Sequence, residues 1–250
     1  AIALQIVERS SDFPGINAQP TAVRYYPGTL GATGAHVLGY IGALTDSDLA
    51  KDGGTRYYRS ESIGKDGLEL QYDTYLRGRP GIKTVIVDRK ESVTQKAKDT
   101  VPVPGMHLVT SLDVRIQGAA EAGLATAVKS ARAQGYRADG GAAVVMDVNN
   151  GRVLAMASYP TYDPNIWEKG LTVAQAKDMY SASTYVPALS RPLQGLFAPA
   201  STFKAISIFA AVKAGYNLNA TYDCPGLYKV GNREFTNYES KELGRMNLKT

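Results

Sequence analysis

Pro199-Ala200-Ser201-Thr202-Phe203-Lys204 leads directly into Ala205-Ile206-Ser207-Ile208-Phe209-Ala210-Ala211-Val212. Pro199 and Ala200 suit a helix start, which puts Ser201 in the first turn, among backbone N–H groups with no intrahelical acceptor. Residues three apart share a helix face, so the Lys204 amine can reach the Ser201 hydroxyl. A serine hydroxyl is a weak nucleophile without a neighbouring base, and a lysine serves as that base when burial leaves it neutral. The pattern points to acyl-enzyme chemistry. The tetrapeptide by itself is unspecific, because on the order of one Ser-x-x-Lys is expected by chance in a chain of this size. A second does occur, Ser62-Ile63-Gly64-Lys65, but it runs into Asp66-Gly67 with no apolar helix behind it, and it reads as a decoy. The apolar run after Lys204 predicts an interior helix, hydrophobic on most faces.

Upstream, Asp113 to about Ala133 has helical spacing, with Ile116, Ala120, Leu124 and Val128 along one face, Asp113 as N-cap and Gly135 as stop. Two strands follow, Ala142 to Val148 and Arg152 to Ser158, around Asn149-Asn150-Gly151, a strong hairpin signal. A polar, aromatic loop runs from Tyr159 to Asn165. Before Pro104 the chain reads as short strands, loops and some helix. Ala22 to Tyr26 and Lys83 to Asp88 are expected strands, and His36 to Gly42 is an apolar segment. Asp46 to Asp52 and Gly67 to Leu76 are expected helices. The polar stretch Arg89 to Thr100, with Val101-Pro102-Val103-Pro104-Gly105 after it, reads as a connection, and His107 to Ser111 as a strand. The expected organisation is a first unit over 1–104 and a second over 105–250.

The 250 residues carry a net charge of +5 with basic and acidic side chains interspersed, so nucleic-acid binding is unsupported. His36 and His107 stand apart from cysteines and paired carboxylates, so a metal site is not indicated. There is no Walker loop and no Gly-x-Gly-x-x-Gly, so a nucleotide is not indicated either, and no cofactor is expected. Cys224 is the single cysteine and reads as structural. No apolar run is long enough to cross a membrane. The chain starts at Ala1, and the expectation is a processed or trimmed piece whose anchor lay upstream.

The ordered set of segments resembles the class B penicillin-binding proteins, of the penicillin-binding protein 2 type. Ser-x-x-Lys is a known signature of penicillin-binding proteins. Tyr26-Pro27-Gly28, His36 to Gly42, Gly64-Lys65-Asp66-Gly67-Leu68-Glu69 and Tyr72 to Gly78 are similar to their N-terminal pedestal. Thr110-Ser111-Leu112-Asp113 with Gln117 resembles the start of their transpeptidase domain. Ala143 to Pro160 resembles its first hairpin, and Pro199 to Lys204 its nucleophile. The resemblance implies an α+β fold, an elongated pedestal (dimerisation-type) domain followed by a penicillin-binding/β-lactamase-like transpeptidase domain with an antiparallel sheet flanked by helices. It implies peptidoglycan D,D-transpeptidation in cell-shape or cell-division growth, with Ser201 as nucleophile and acyl-ester carrier and Lys204 as general base. Implied partners are peptidoglycan stem peptides, β-lactam antibiotics, a membrane glycosyltransferase of the SEDS type and scaffold proteins. The implied location is the cell membrane, with the catalytic domain on the extracytoplasmic face.

The family's Ser-x-Asn and Lys-Thr-Gly motifs are not found. Lys83-Thr84 is followed by Val85, and Lys249-Thr250 by nothing. The expectation is therefore a transpeptidase domain incomplete at its C-terminus that does not acylate efficiently as this piece. Two alternatives stay open: a class D-like β-lactamase, which the long segment ahead of Asp113 argues against, and a non-catalytic docking or β-lactam-sensing module. Tyr159, Tyr162 and Trp167 are candidates for a groove or for packing. Asp147 reads as a turn residue, Gly64, Gly67 and Glu69 as pedestal folding or docking residues, and Lys65 as a surface residue.

Overall fold

The computed structural model describes residues 2–9, 12–13, 16, 23–28, 33–52, 57–58, 61–87, 89 and 93–248. Ala22 and Asp88, at the ends of two expected strands, and Lys249-Thr250 lie outside the described residues, as do residues 90–92 of the expected connection. The chain divides into two compact units, Ala1–Gly195 and Leu196–Thr250.

The first unit contains α1 (Ile2–Glu8), α2 (Ala35–Leu38), β1 (Ile41–Ala43), α3 (Asp46–Asp52), β2 (Ser62–Gly64), α4 (Gly67–Gln71) and α5 (Asp73–Leu76). It continues with β3 (Ile82–Val87), β4 (Val93–Thr100), α6 (Val114–Ala133), β5 (Gly141–Met146), β6 (Val153–Tyr159), α7 (Val173–Tyr180) and α8 (Arg191–Gln194). β1–β2, β3–β4 and β5–β6 are separate antiparallel pairs. α6, α8 and α2 pack on the β5–β6 pair, which gives the expected arrangement of antiparallel strands flanked by helices.

α6 begins where the sequence says it should. The Asp113 carboxylate accepts from Arg115 N and Ile116 N, which satisfies two of the orphan donors of the first turn. Its most buried face differs from the expected stripe: Gln117, Gly118, Glu121 and Val128 are buried, whereas Ile116, Ala120 and Leu124 are only half-buried. The polar pair is inside because it is fully hydrogen-bonded. Gln117 bridges β6 by donating to Met156 O (3.0 Å) and accepting from Met156 N (2.8 Å). It also donates to Glu121 (2.7 Å). The Glu121 carboxylate, 9% exposed, accepts in addition from Thr33 N (2.8 Å), Thr33 Oγ1 (3.1 Å) and Gly34 N (2.9 Å). One side chain thus joins the 33–34 turn to α6 and, through Gln117, to β6.

Further side chains make similar ties. Asn165 donates to Tyr26 O (2.8 Å) and accepts from Tyr26 N (2.9 Å), so a side-chain amide takes the place of a neighbouring strand. This explains why residues 23–26 are not part of a sheet, contrary to expectation. The His36 ring nitrogen Nε2 donates to Pro187 O (2.7 Å), and the ring stands edge-on to Tyr162. Tyr162 is buried with Ala35 and Met179, and Trp167 packs against that cluster; both side chains are packing residues here. Gly39 and Gly67 have positive φ and lie so close that a Cβ on Gly67 would approach Gly39 N to 2.6 Å. Glu69, 8% exposed, pairs with Arg24 (2.8 Å) and accepts from Tyr26 Oη (3.2 Å).

Three expectations are corrected. Most of the stretch from Arg89 to Thr100 is not a connection: its residues 93–100 form β4, whose backbone pairs with β3 despite a side-chain pattern lacking apolar alternation. His107 to Ser111 is not a strand, because no neighbour pairs with it, and Val109 is 92% exposed. Lys65 is not a free surface lysine, since its ammonium pairs with Asp48 and its side chain is only 19% exposed. Asp147 does hold the hairpin turn, accepting from Asn149 N, Asn149 Nδ2 and Asn150 Nδ2.

The second unit contains the turn Ala200–Phe203, α9 (Lys204–Lys213), β7 (Thr221–Cys224), β8 (Leu227–Val230), β9 (Arg233–Thr236) and β10 (Gly244–Asn247). β8 pairs with β9 and β7 with β10, both antiparallel. The Asn237 amide donates to Pro225 O (2.9 Å), Lys241 O (3.2 Å) and the Cys224 sulfur (3.4 Å), so Cys224 takes part in a structural contact.

Two outcomes test these ties. Glu121→Ala leaves Thr33 N and Gly34 N without this acceptor and strips Gln117 Nε2 of one of its two, and it is expected to cost about 3 kcal/mol, read as a melting temperature lower by roughly 6–12 °C. Burial, aided by Arg191, holds the His36 imidazole below its ordinary 6.5, outweighing the Pro187 carbonyl, Asp66 and Glu121. The unfolded chain therefore takes up this proton first, and the folded state loses stability as pH falls through about 6.5. The urea midpoint should drop between about pH 7.5 and 5.5, and drop less in His36→Gln.

Candidate functional site

Ala200–Phe203 is a 3-10 turn that runs straight into α9, because Lys204 itself has helical dihedrals (φ −60°, ψ −34°). The Lys204 N–H donates to Ser201 O, which locks the two residues one 3-10 turn apart. In that geometry side chains at i and i+3 eclipse each other, so Ser201 and Lys204 share a face, as the spacing predicts. Thr202 closes the turn on its other side, its N–H donating to Pro199 O (3.1 Å) and its hydroxyl to the same oxygen. Among the described residues the Ser201 N–H donates to no acceptor. It is one of the orphan donors of a helix start, free to receive an oxyanion.

The expectation of a buried helix is not met. Residues 201–210 are exposed, with Ile206 at 60% and Phe209 at 75%. The composition of the run predicts an interior helix, yet no residue of α9 is buried. Ser201 and Lys204 are exposed with it, and no side-chain hydrogen bond joins them. The structure places Ser201, the Lys204 amine and the Ser201 N–H on one turn, but without the dry surroundings a lysine base requires.

Sequence reasoning missed one feature of this turn. Ala200 has φ +47°, a left-handed conformation for a residue with a Cβ, immediately before Ser201. Such a conformation costs about 1–2 kcal/mol, and strain of this kind gathers at functional sites. No composition signal announces it, since glycine is the residue usually found in that region. The other Ser-x-x-Lys is differently placed: Ser62 opens β2 and Lys65 is engaged by Asp48, which accords with its reading as a decoy.

Two family descriptions match the chain, "Penicillin-binding Protein dimerisation domain" over residues 2–110 and "Penicillin binding protein transpeptidase domain" over residues 141–250. The chain belongs to the class B penicillin-binding proteins. It is 33% identical over 246 residues to the peptidoglycan D,D-transpeptidase MrdA of Escherichia coli strain K12, covering 94% of this chain and 36% of that protein. Among solved structures it resembles the penicillin-binding protein PBP2 of Helicobacter pylori, solved in complex with MreC, with a TM-score of 0.71 and 28% identity. That match covers 98% of this chain and 43% of the other. A structure described as a peptidoglycan synthase complex coordinating polymerization and crosslinking matches with a TM-score of 0.65 and 28% identity, covering 98% of this chain and 42% of the other. The chain thus spans little more than a third of the length of the curated relative. The resemblance read from the pedestal segments and the Ser201 motif agrees with these matches.

Relieving the left-handed Ala200 tests whether the turn is held as described. Ala200→Gly is expected to leave stability unchanged or raise it by up to about 1 kcal/mol, whereas the β-branched Ala200→Val lowers it by about 2 kcal/mol. Urea denaturation of the two variants checks the order.

Proposed function

We propose that this protein is a peptidoglycan D,D-transpeptidase in which Ser201 is the nucleophile and Lys204 the general base. The observation that carries the reading is the turn in which Lys204 N–H is bonded to Ser201 O, which eclipses the two side chains, while Ser201 N–H has no acceptor among the described residues. Support comes also from the transpeptidase match over residues 141–250 and from relatives named for that activity.

Ser201 Oγ adds to the carbonyl of the penultimate D-Ala of a stem peptide while its proton passes to the Lys204 amine. The oxygen that gains the charge is received by Ser201 N–H, a contribution worth roughly a hundredfold or more in rate. Collapse expels the terminal D-Ala, whose nitrogen takes the proton back, and leaves an ester on Ser201. An amine of a neighbouring stem then repeats the sequence in reverse and carries the acyl group away. A β-lactam presents the same carbonyl in a ring and acylates the same serine.

The domain division is proposed near Pro104, with residues 1–104 as pedestal and 105–250 as transpeptidase domain. The compact units divide later, at 195/196: Thr33 and Gly34 are bonded to Glu121 of α6, Tyr26 to Asn165 and His36 to Pro187. By analogy with the MreC complex and the synthase complex, the partners are a cell-shape scaffold protein and a membrane glycosyltransferase of the SEDS type. The location is the cell membrane, with the catalytic part on the extracytoplasmic face. No helix among the described residues is long and apolar enough to cross a membrane. The dimerisation-domain match over 2–110 favours this reading over a β-lactamase.

The test is intact-mass spectrometry of the full-length protein with a penicillin. The expected result is a gain of one penicillin mass, absent in Ser201→Ala and slowed by about a hundredfold or more in Lys204→Ala. A folded full-length protein that gains no mass overturns the enzyme reading and leaves a docking module. A gain that persists in Ser201→Ala overturns the assignment of the nucleophile.

A further inference from the structure

Asn150-Gly151, at the tip of the β5–β6 hairpin, is the one Asn-Gly pair of these 250 residues. In an open chain such a pair modifies itself. The Gly151 amide loses its proton, its nitrogen bonds to Asn150 Cγ, and the bond from Cγ to Nδ2 breaks, so that ammonia leaves with that proton. The product is a cyclic succinimide. Water then opens the ring at either carbonyl, giving aspartate with the main chain as before or isoaspartate with the main chain rerouted through the side chain. Glycine favours the step because it has no Cβ to obstruct the approach. Asn150 and Gly151 are exposed, so water and base reach them.

In the folded turn every group that takes part is already engaged. The nucleophile is Gly151 N, and its hydrogen is donated to Asp147 O (2.8 Å). The leaving group is Asn150 Nδ2, which donates to Asp147 Oδ2 (2.7 Å). The other end of the same carboxamide, Asn150 Oδ1, accepts from Arg152 N (2.9 Å), so the group is pinned at both ends and is not free to turn onto Gly151 N. Charge opposes the reaction as well. A deprotonated Gly151 nitrogen would be negative beside the Asp147 carbonyl oxygen, with the Asp147 carboxylate bound in the same turn, and like charges disfavour ionisation. The Asn149 N–H, with the Asn149 and Asn150 side-chain amides, holds the Asp147 carboxyl below its ordinary value, so it is ionised in the alkaline range where the amide loses its proton most readily.

We propose that Asn150 is a latent self-modification site that the folded turn keeps closed, with Asp147 as the residue that closes it. The protection is local and lasts as long as the hairpin does, so Asn150 is modified from molecules whose turn has opened. The change is not undone on closing. An aspartate or isoaspartate at 150 presents a carboxylate to Asp147 where an amide donor stood, and isoaspartate lengthens the main chain by one methylene between Asp147 and Arg152, whose backbones are bonded (2.9 Å). The inference concerns the first unit and does not depend on the Ser201 chemistry.

The test is a time course of the full-length protein in a mildly alkaline buffer, folded and in urea. It is read by mass spectrometry of the tryptic peptide 138–152, which Arg137 and Arg152 bound. Fragmentation separates an amide-to-acid change at Asn150 from one at Asn149, which serves as the internal reference. The folded protein should be modified about a hundredfold more slowly than the unfolded one, the fold-change that one charge-assisted and one neutral hydrogen bond amount to. In Asp147→Ala the folded-state rate should rise about tenfold while the rate in urea stays that of the wild type. Asp147→Asn, which keeps an acceptor and removes the charge, should fall between the two, and it decides the matter if circular dichroism shows that Asp147→Ala does not fold. Equal rates in folded and unfolded wild type overturn the protected site. A folded-state rate that neither variant changes overturns the role of Asp147.

Discussion

The Glu121 carboxylate is almost out of water and has no ion-pair partner among the described residues, yet four donors converge on it: Thr33 N, Thr33 Oγ1, Gly34 N and Gln117 Nε2. A buried charge is tolerable when its lone pairs are filled in this way. The consequence is geometric. The 33–34 turn cannot leave α6 without stripping that charge of its partners, and α6 cannot shift on β6 because Gln117 holds both the N–H and the carbonyl of Met156. The Asn165 contacts with Tyr26 and the His36 contact with Pro187 then fix the segments on either side of the same turn. The N-terminal segment and the helix–hairpin core consequently form one unit, although two family descriptions share the sequence.

Much of this unit was legible wherever local chemistry decides structure. The Asp113 cap, the Asn149-Asn150-Gly151 turn and the start of the 46–52 helix, where Thr45 and Asp48 cap each other, follow from side chains that act on their own backbone neighbours. What was not legible rests on distant partners. Residues 23–26 look like a strand, but the partner is one asparagine side chain 139 residues away. Residues 93–100 look like a polar connection, but β3 supplies their backbone bonds. Gln117 and Glu121 interrupt the apolar stripe of α6, and their burial makes sense only once Thr33, Gly34 and Met156 are beside them.

The candidate site divides along the same line. The relation of Ser201 to Lys204 is a matter of one turn, and both the spacing rule and the Lys204 N–H to Ser201 O bond express it. The left-handed Ala200 is not local in that sense: nothing in an alanine favours φ +47°, so the conformation must be imposed by the chain on either side.

Burial of α9 is likewise a property of neighbours, and it bears directly on chemistry. Ile206 and Phe209 together present large apolar surfaces, at 60% and 75% exposure. Covering side chains of this size is worth about 1.5–3 kcal/mol each, so α9 is a helix whose composition favours being covered. Lys204 is its first residue. Any surface that closes over the apolar run also removes water from around the amine, and desolvation disfavours the charged form of a lysine. The same contact that stabilises the helix would therefore also act on the residue proposed as the base, which ties the apolar run to the proposed chemistry as well as to its scaffold.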